Sequence, residues 1–318
     1  MMLRSWKFWI SLTILLAFII VVERSYGWLA VLASWQRIST GELTIAVTLM
    51  LISYLLRALR FYDFFHPYCH GQWWRLTRIT VLHNFFNNLL PMRSGEAAFP
   101  MLMKNHFSCP VRHSLPALLW LRLLDLYILL ALAVWTLSDI PDHIIAAGSA
   151  DIWLLQAGLL ALPLLVLPVQ NRIRKVLSNH PGAMANKIAD LMQVLPSSPW
   201  PFIRALFWTL INWVLKLAIY AWVLQQFIAI SFGQSWVGAS TGELSSILPI
   251  HGVAGAGTYE AGIVAGLLPW QLNTAEALAA AVNLHLFVLG CTLLLTAVIT
   301  IATGRLGHKH LDTGALKD

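Results

Sequence analysis

The sequence predicts an all-α integral membrane protein, and three observations support this fold class. Of the 318 residues, 58% are hydrophobic and only 11% are charged, whereas a soluble globular domain has about 25% charged residues. Apolar runs of about 20 residues, the length that crosses the hydrocarbon core of a bilayer as a helix, recur along the chain. These features exclude the soluble classes. No polar stretch between the apolar runs is long enough for a nucleotide-binding or catalytic domain.

Six apolar segments have the length of a transmembrane helix. We predict these spans at residues 6–22, 43–59, 115–137, 152–169, 205–230 and 277–302. Two further apolar regions, near residues 76–103 and 236–268, are interrupted by Pro, Gly and charged residues. Each is therefore predicted to form a helical hairpin, either re-entrant or fully spanning. Residues 1–302 would form one polytopic membrane domain, followed by a short basic tail over residues 303–318.

The distribution of Lys and Arg predicts how the chain is oriented in the membrane. If the amino terminus is cytoplasmic and each interrupted region returns to the side it left, 16 of the 21 Lys and Arg residues lie on the cytoplasmic side, as the positive-inside rule requires. The carboxyl terminus is then cytoplasmic too. The two interrupted regions enter from opposite sides, which is typical of an inverted-topology repeat. The net charge of +7 is thus a topology signal, and no nucleic-acid partner is predicted.

Ionisable residues inside the apolar segments are the candidate functional residues. A charge at mid-membrane costs about 2.5–3.5 kcal/mol unless a partner or a water-filled cavity compensates it. These residues are Arg57, Arg60, Arg93, Glu96, Arg122, Asp125, Lys216, Glu243, Glu260 and His285. Arg93 with Glu96, and Arg122 with Asp125, have i, i+3 spacing, which places both members of a couple on one helix face. Each couple is either a local ion pair that assists insertion or part of a cavity wall. A proline and a glycine interrupt the helix around the first couple, which favours the cavity.

The second interrupted region contains three glycines within six residues, Gly252, Gly255 and Gly257, shortly before Glu260. Glycines permit close backbone approach and turns that leave amide groups facing an open space. If a helix begins near Thr258, its amino-terminal dipole favours a phosphate at this turn. The alternative interpretation is a glycine seam between packed helices.

No cofactor or metal site is predicted. The three cysteines lie far apart, without a C-x-x-C pair. Asp63, His66, Cys69 and His70 are close in sequence, but Pro67 breaks the helix face that they would share, so we assign them to an interfacial loop. No Ser-His-Asp order, H-E-x-x-H or Walker loop is present. No catalytic residue is therefore assigned, and a transporter is favoured over an enzyme.

The motifs taken in order resemble a known family. They are Asn88-x-x-Pro91-x-Arg93-x-Gly95-Glu96, then Arg122-x-x-Asp125, then Gly252-x-x-Gly255-x-Gly257-x-x-Glu260. This combination is similar to the flippase-like membrane domain of lysylphosphatidylglycerol synthases, and the likeness covers nearly the whole chain. In that family the domain is thought to move a lipid between leaflets, and fused members make aminoacylated phosphatidylglycerol in a separate soluble domain.

The resemblance implies a stand-alone member without the synthase domain, located in a bacterial cytoplasmic (inner) membrane. The chain departs from the family pattern at Phe99, at Trp120 and Leu121, and at His285, where relatives tend to carry fixed charges. Aminoacyl-lipid specificity is therefore not implied.

The leading hypothesis is a flippase-like protein that translocates or binds an anionic phospholipid or a lipid-linked intermediate. Its predicted substrate-binding residues are Asn88, Arg93, Glu96, Arg122, Asp125, Gly252, Gly255, Gly257 and Glu260. The alternatives are an intramembrane transferase acting on a lipid carrier, and a non-catalytic partner of a lipid- or glycan-synthesis enzyme. The expected partner is a membrane lipid with an anionic headgroup, and a lipid- or glycan-modifying enzyme is a further candidate.

Overall fold

The computed structural model of the protein describes residues 6–90, 95–135, 149–179, 182, 188–189, 192, 195–196, 198–247 and 253–314. Within these residues the regular structure is helical and contains no strand. The helices are α1 (Trp6–Ser25), α2 (Trp28–Ala33), α3 (Thr40–Phe64), α4 (His66–Cys69), α5 (Trp73–Leu89), α6 (Ala98–Phe107), α7 (Val111–Trp135), α8 (Ser149–Asn179), α9 (Pro199–Gln225), α10 (Phe232–Ser245), α11 (Thr258–Leu267) and α12 (Thr274–Gly314). The predicted all-α fold class is confirmed.

Four helices are each long and apolar enough to cross a membrane, namely α3, α7, α9 and α12. Two bent pairs meet the same criterion when each is taken as one span: parts of α1 and α2 joined at 78°, and the two halves of α8 joined at 41°. These elements correspond to the six predicted spans, two of which are bent. The protein is thus a multi-pass membrane protein. Because α3 continues through Phe64, Arg60 lies inside a helix, one residue beyond the predicted end of this span at residue 59.

Both interrupted regions consist of two helices separated by a break, as predicted. α5 ends at Leu89 and α6 begins at Ala98, while α10 ends at Ser245 and α11 begins at Thr258. Gly95, in the turn before α6, lies directly against α5. A Cβ atom at this position would come within 2.5 Å of the Asn87 backbone nitrogen, so only glycine permits this approach.

α10 and α11 pack against each other along a glycine seam. A side chain at any of four positions would meet the facing helix at less than van der Waals distance: Gly238, Gly242, Gly262 and Gly266. The tightest approach is at Gly266, where a Cβ would lie 2.1 Å from Oγ1 of Thr241. Each helix contributes two glycines with G-x-x-x-G spacing, which lets two helices approach closely inside a membrane.

The two halves of the bundle pack with matched contacts. α3 and α9 pack against each other at the centre. Each contact of the first half has a counterpart in the second: the α3–α5 contact corresponds to α9–α10, and the α6–α7 contact corresponds to α11–α12. The contacts between the halves also match, since α5 packs on α12 and α10 packs on α7. Exchanging α3, α5–α6 and α7 for α9, α10–α11 and α12 therefore preserves these contacts, as an internal repeat requires. The opposite orientation of the two halves in the membrane stays a prediction.

Replacing Gly266 with alanine is expected to lower the thermal stability of the protein. The added methyl group overlaps the β-branched Thr241, which has few rotamers to move into, and overpacking of this kind costs about 1–3 kcal/mol. The measurement is the apparent unfolding temperature of the purified protein in detergent. Gly290→Ala in α12 is the matched control, because a Cβ there has no atom within 4 Å. If both variants unfold at the wild-type temperature, the seam tolerates a side chain and this account of it is wrong.

Candidate functional site

A cavity of about 480 Å³ lies between the two halves of the bundle. Residues of α3, α5, α7, α9, α10, α11, α12 and the turn at 253–255 line it. Its polar lining includes Arg57, Asn84, Asn87, Asn88, Arg122, Asp125, Lys216, Glu243 and His285. The volume falls within the range of about 300–1,000 Å³ that is usual for small-ligand sites.

The cavity reaches the surface of the bundle beside α7. Leu119 and Leu123 line it and yet are 57% and 58% exposed. Because α7 is long and apolar enough to cross a membrane, exposed leucines on this face are expected to lie against lipid chains. An opening beside them would face sideways, toward the bilayer.

Asp125 is the centre of a buried ionic network in the cavity wall. Its carboxylate receives two hydrogen bonds from Arg60, at 2.5 and 3.2 Å, and one from Trp213 Nε1 at 2.9 Å. Arg122 Nη1 donates a further bond of 3.3 Å to the same group, as the i, i+3 spacing predicts. The Arg60 and Asp125 side chains are only 1% and 5% exposed. This network fastens α3, α7 and α9 together.

Arg122 also connects the network to the first interrupted region. Its Nη2 atom lies 2.9 Å from Oε1 of Glu96 and 3.1 Å from Nε2 of His83. Glu96 thus pairs with an arginine of another helix, whereas the sequence suggested a local pair with Arg93, which lies outside the described residues. The Glu96 and Arg122 side chains are 29% and 20% exposed, so this pair is more accessible than the one at Asp125.

Arg57 differs from the other cations that line the cavity. One of its Nη atoms donates to Asn84 Oδ1 at 2.6 Å, and Asn84 in turn donates to Tyr54 at 2.8 Å. Tyr54 and Asn88 both contact Thr292 of α12 at 3.0 Å. Within the described part of the chain, Arg57 forms no ion pair with a carboxylate. Neutral polar groups position its guanidinium without neutralising it.

Lys216 of α9 also lines the cavity, and an ion pair holds it in place. Its Nζ atom lies 2.8 Å from Oε2 of Glu243. The same ammonium lies 4.7 Å from the ring centre of Trp213 and 5.1 Å from that of Tyr220, which are favourable cation–π distances. The pair joins α9 to α10, the first helix of the second interrupted region.

The glycine turn brings Glu260 and His285 together. α11 begins at Thr258, as predicted, and Glu260 Oε2 accepts a 2.8 Å hydrogen bond from the Gly257 N–H. The other oxygen of this carboxylate lies 2.6 Å from Nδ1 of His285. The start of α11, where the sequence suggested a phosphate, therefore carries a carboxylate of the chain itself. Gly255 adopts a left-handed conformation with φ of 83° and lines the cavity beside His285.

Comparison with known families identifies the chain. Residues 8–296 match the family model described as lysylphosphatidylglycerol synthase TM region. The chain belongs to this family. The match includes every residue that lines the cavity, and it confirms the resemblance seen in the sequence motifs. No curated protein sequence matches the chain. Membership of this family indicates a membrane protein with a lipid-related function.

The substrate-binding residues predicted from the family motifs do not all line the cavity. Four line the cavity: Asn88, Arg122, Asp125 and Gly255. Two reach it through a partner, Glu96 through Arg122 and Glu260 through His285. Gly257 packs against α1 instead. Arg93 and Gly252 lie outside the described residues. A role of these residues in binding substrate stays a prediction.

Six residues of the polar lining named above were not among the predicted substrate-binding residues: Arg57, Asn84, Asn87, Lys216, Glu243 and His285. Four of them carried a signal, since an ionisable group inside an apolar segment is costly without a function or a partner. Asn84 carried none that distinguishes it from other polar residues of α5. Its importance follows only from its contact with Arg57.

The sequence cluster of Asp63, His66, Cys69 and His70 does not converge. Asp63 pairs with Arg204 at 2.7 Å, and the Cys69 thiol donates to its own helix at 3.0 Å. Burial raises the pKa of the Cys69 thiol to about 12, so the thiolate that metals prefer is scarce at neutral pH. Among the described residues, no three His, Cys, Asp or Glu side chains are arranged to hold a metal ion.

Replacing Asp125 with asparagine is expected to destabilise the protein severely, because Arg60 is then buried without a counter-charge. Removing one partner of a buried ion pair costs about 3–5 kcal/mol, whereas a surface pair contributes about 0–1 kcal/mol. Asp63→Asn, which removes the partly exposed pair with Arg204, is the matched control. The measurement is the yield of monodisperse protein after detergent extraction, together with its apparent unfolding temperature. Equal losses in the two variants would contradict the central position of Asp125.

Proposed function

We propose that the protein binds an anionic phospholipid, or an anionic lipid-linked intermediate, by its headgroup in the cavity and moves it between leaflets. The observation that carries this proposal is Arg57, a cation that lines a cavity inside the membrane domain and forms no ion pair with a described carboxylate. An uncompensated charge in this position is costly unless a ligand or water neutralises it. A headgroup phosphate is a ligand of the matching charge.

The chemistry of Arg57 suits a phosphate. A guanidinium has five N–H donors in a planar fork that matches phosphate oxygens. One donor is used by Asn84, and the side chain has no other hydrogen-bond partner among the described residues. Hydrogen bonds between a guanidinium and a phosphate are short and charge-assisted, and they are stronger in a site of low dielectric.

A second contact is available at Arg122. This side chain is shared by Asp125 and Glu96, and the pair with Glu96 is the more exposed of the two. A phosphate that enters beside Arg122 competes with Glu96 for its Nη2 atom. The ion pair between α7 and the turn that links α5 to α6 is then lost, while the packing of α6 on α7 remains. Ligand binding would in this way weaken one tie between a broken helix and α7.

The lateral opening supports a lipid rather than a soluble anion. A headgroup can occupy the cavity while the acyl chains remain in the bilayer beside the exposed leucines of α7. Alternating access would follow from rocking of the two packed halves around the cavity, as in transporters built from repeats.

Replacing Arg57 with glutamine is expected to reduce lipid movement at least tenfold. The variant loses a charge-assisted contact worth about 1.5–3 kcal/mol, and about 1.4 kcal/mol corresponds to a factor of ten. The purified protein is reconstituted into liposomes that contain fluorescent phosphatidylglycerol in both leaflets. Movement is measured by the fraction of fluorophore that an external quenching reagent reaches with time.

The control is Arg75→Gln, which removes an exposed arginine that bonds to Gln72 on the surface of α5. It should move lipid at the wild-type rate. Wild-type rates in Arg57→Gln would refute the proposed role of this residue, and the same rate with and without wild-type protein would refute translocation. Lipid recovered with a new mass would favour the transferase over the flippase.

A further inference from the structure

His285 and Glu260 form a buried couple in which Nδ1 of the imidazole contacts the carboxylate. His285 and Glu260 are 8% and 2% exposed, and their Nδ1 and Oε1 atoms are 2.6 Å apart. The other oxygen of Glu260 accepts from the Gly257 N–H. Each oxygen of Glu260 thus has a hydrogen-bond partner from inside the protein.

The other imidazole nitrogen, Nε2, lies beside Gly255, a residue that lines the cavity. His285 and Gly255 both line the cavity, and a Cβ at Gly255 would be 3.7 Å from Nε2. The Tyr259 ring lies 4.7 Å from the imidazole ring. Among the described residues, Nε2 has no hydrogen-bond partner. This side chain is more than nine-tenths buried and thus has one polar atom that no described residue satisfies, next to a residue that lines the cavity.

The number of protons on the couple decides what Nε2 can do. With one shared proton, that proton lies between Nδ1 and the carboxylate, and Nε2 has only a lone pair. A lone pair repels an anion. With two protons, written either as imidazolium and carboxylate or as imidazole and carboxylic acid, Nε2 carries an N–H and donates. Contact between Nε2 and an anion therefore requires a second proton on the couple.

The charge balance in and around the cavity also favours a second proton on the couple when an anion binds. The described cations Arg60, Arg122 and Lys216 are paired with Asp125, Glu96 and Glu243. Arg57 and Glu260 remain, one cation without a carboxylate and one carboxylate whose described partner is a histidine. A phosphodiester at Arg57 neutralises that cation and leaves the charge of Glu260 uncompensated. Uptake of one proton by the couple restores neutrality.

Among the described residues, His285 is the histidine that lines the cavity, whereas His83 belongs to the neighbouring network, 3.1 Å from Arg122 and 3.7 Å from Glu96. The charged and titratable residues that face the couple or share the cavity are Tyr259 of α11, Glu243 of α10, Lys216 and Tyr220 of α9, Arg122 and Asp125 of α7, and Arg57 of α3. α1 and α2 bring Val22 and Val31 to the same part of α12, and α5 brings Asn84, Asn87 and Asn88 to the cavity. Histidine is the side chain whose ordinary titration falls in this pH range.

We infer that binding of an anionic headgroup is coupled to uptake of one proton by the His285–Glu260 couple, with Nε2 of His285 as a second contact to the phosphate. This inference rests on the proposed function, since it assumes that the ligand enters the same cavity. It adds a consequence: movement of the anionic lipid is accompanied by a proton and responds to a pH gradient.

The experiment measures binding of dioctanoyl phosphatidylglycerol to the purified protein by calorimetry between pH 5.5 and pH 8.5. The phosphodiester carries one negative charge across this range, so the probe itself does not titrate. Linkage to one proton predicts that the dissociation constant rises with pH, by up to about tenfold for each pH unit. Heats measured in two buffers of different ionisation enthalpy give the number of protons taken up, and the expected value approaches one.

Two variants of His285 and one control separate the possibilities. His285→Gln is expected to bind weakly and without pH dependence, while His285→Arg supplies a fixed cation and should bind without pH dependence and without loss at pH 8.5. His106→Gln, which changes an exposed histidine at the end of α6, should retain the wild-type pH profile. If His285→Gln retains that profile, or wild-type protein binds without proton uptake, the coupling is wrong while the proposed function stands. Absence of binding by wild-type protein at every pH would refute the proposed function itself.

Discussion

Compensation of charge inside the hydrocarbon layer is the constraint on which the rest of this structure depends. An isolated ion at this depth is unfavourable by several kcal/mol, so each of these groups needs a partner from another helix. Asp125 provides the centre, because it binds Arg60, Arg122 and Trp213 at once. The helices that carry these side chains are held in one arrangement, and the cavity is the space that remains between them.

The same constraint separates the structural charges from the functional ones. Arg60 with Asp125 and Lys216 with Glu243 are close, mutually neutral pairs that fasten helices together. Arg57 and the His285–Glu260 couple are the exceptions, since neither has a fixed counter-charge among the described residues. A membrane protein retains such a group where a ligand or a proton completes the balance. The proposed phosphate contact and the inferred proton uptake are two parts of one charge balance.

Glycine has two separate uses in this fold. In the seam between α10 and α11, the absence of a side chain lets the helices approach, as at Gly266. In the turn before α11, Gly255 and Gly257 adopt left-handed conformations that other residues disfavour. The first use gives the hairpin its stability, and the second brings the carboxylate of Glu260 to His285. Gly255 and Gly257 of the sequence motif serve the turn, whereas the seam is formed by glycines outside that motif.

The sequence by itself determined the all-α membrane class, the positions of the spans and breaks, the set of costly ionisable residues and the family. These properties follow from composition and local spacing, which a chain carries without being folded. Only the tertiary structure decided which charges meet, because the partners come from distant parts of the chain: Arg60 and Asp125 are 65 residues apart. Local spacing suggested Arg93 for Glu96, but the described partner is Arg122 on another helix. The sequence likewise could not show that Arg57 has no described carboxylate as a partner, because the absence of a counter-charge is known only once the neighbouring side chains are placed.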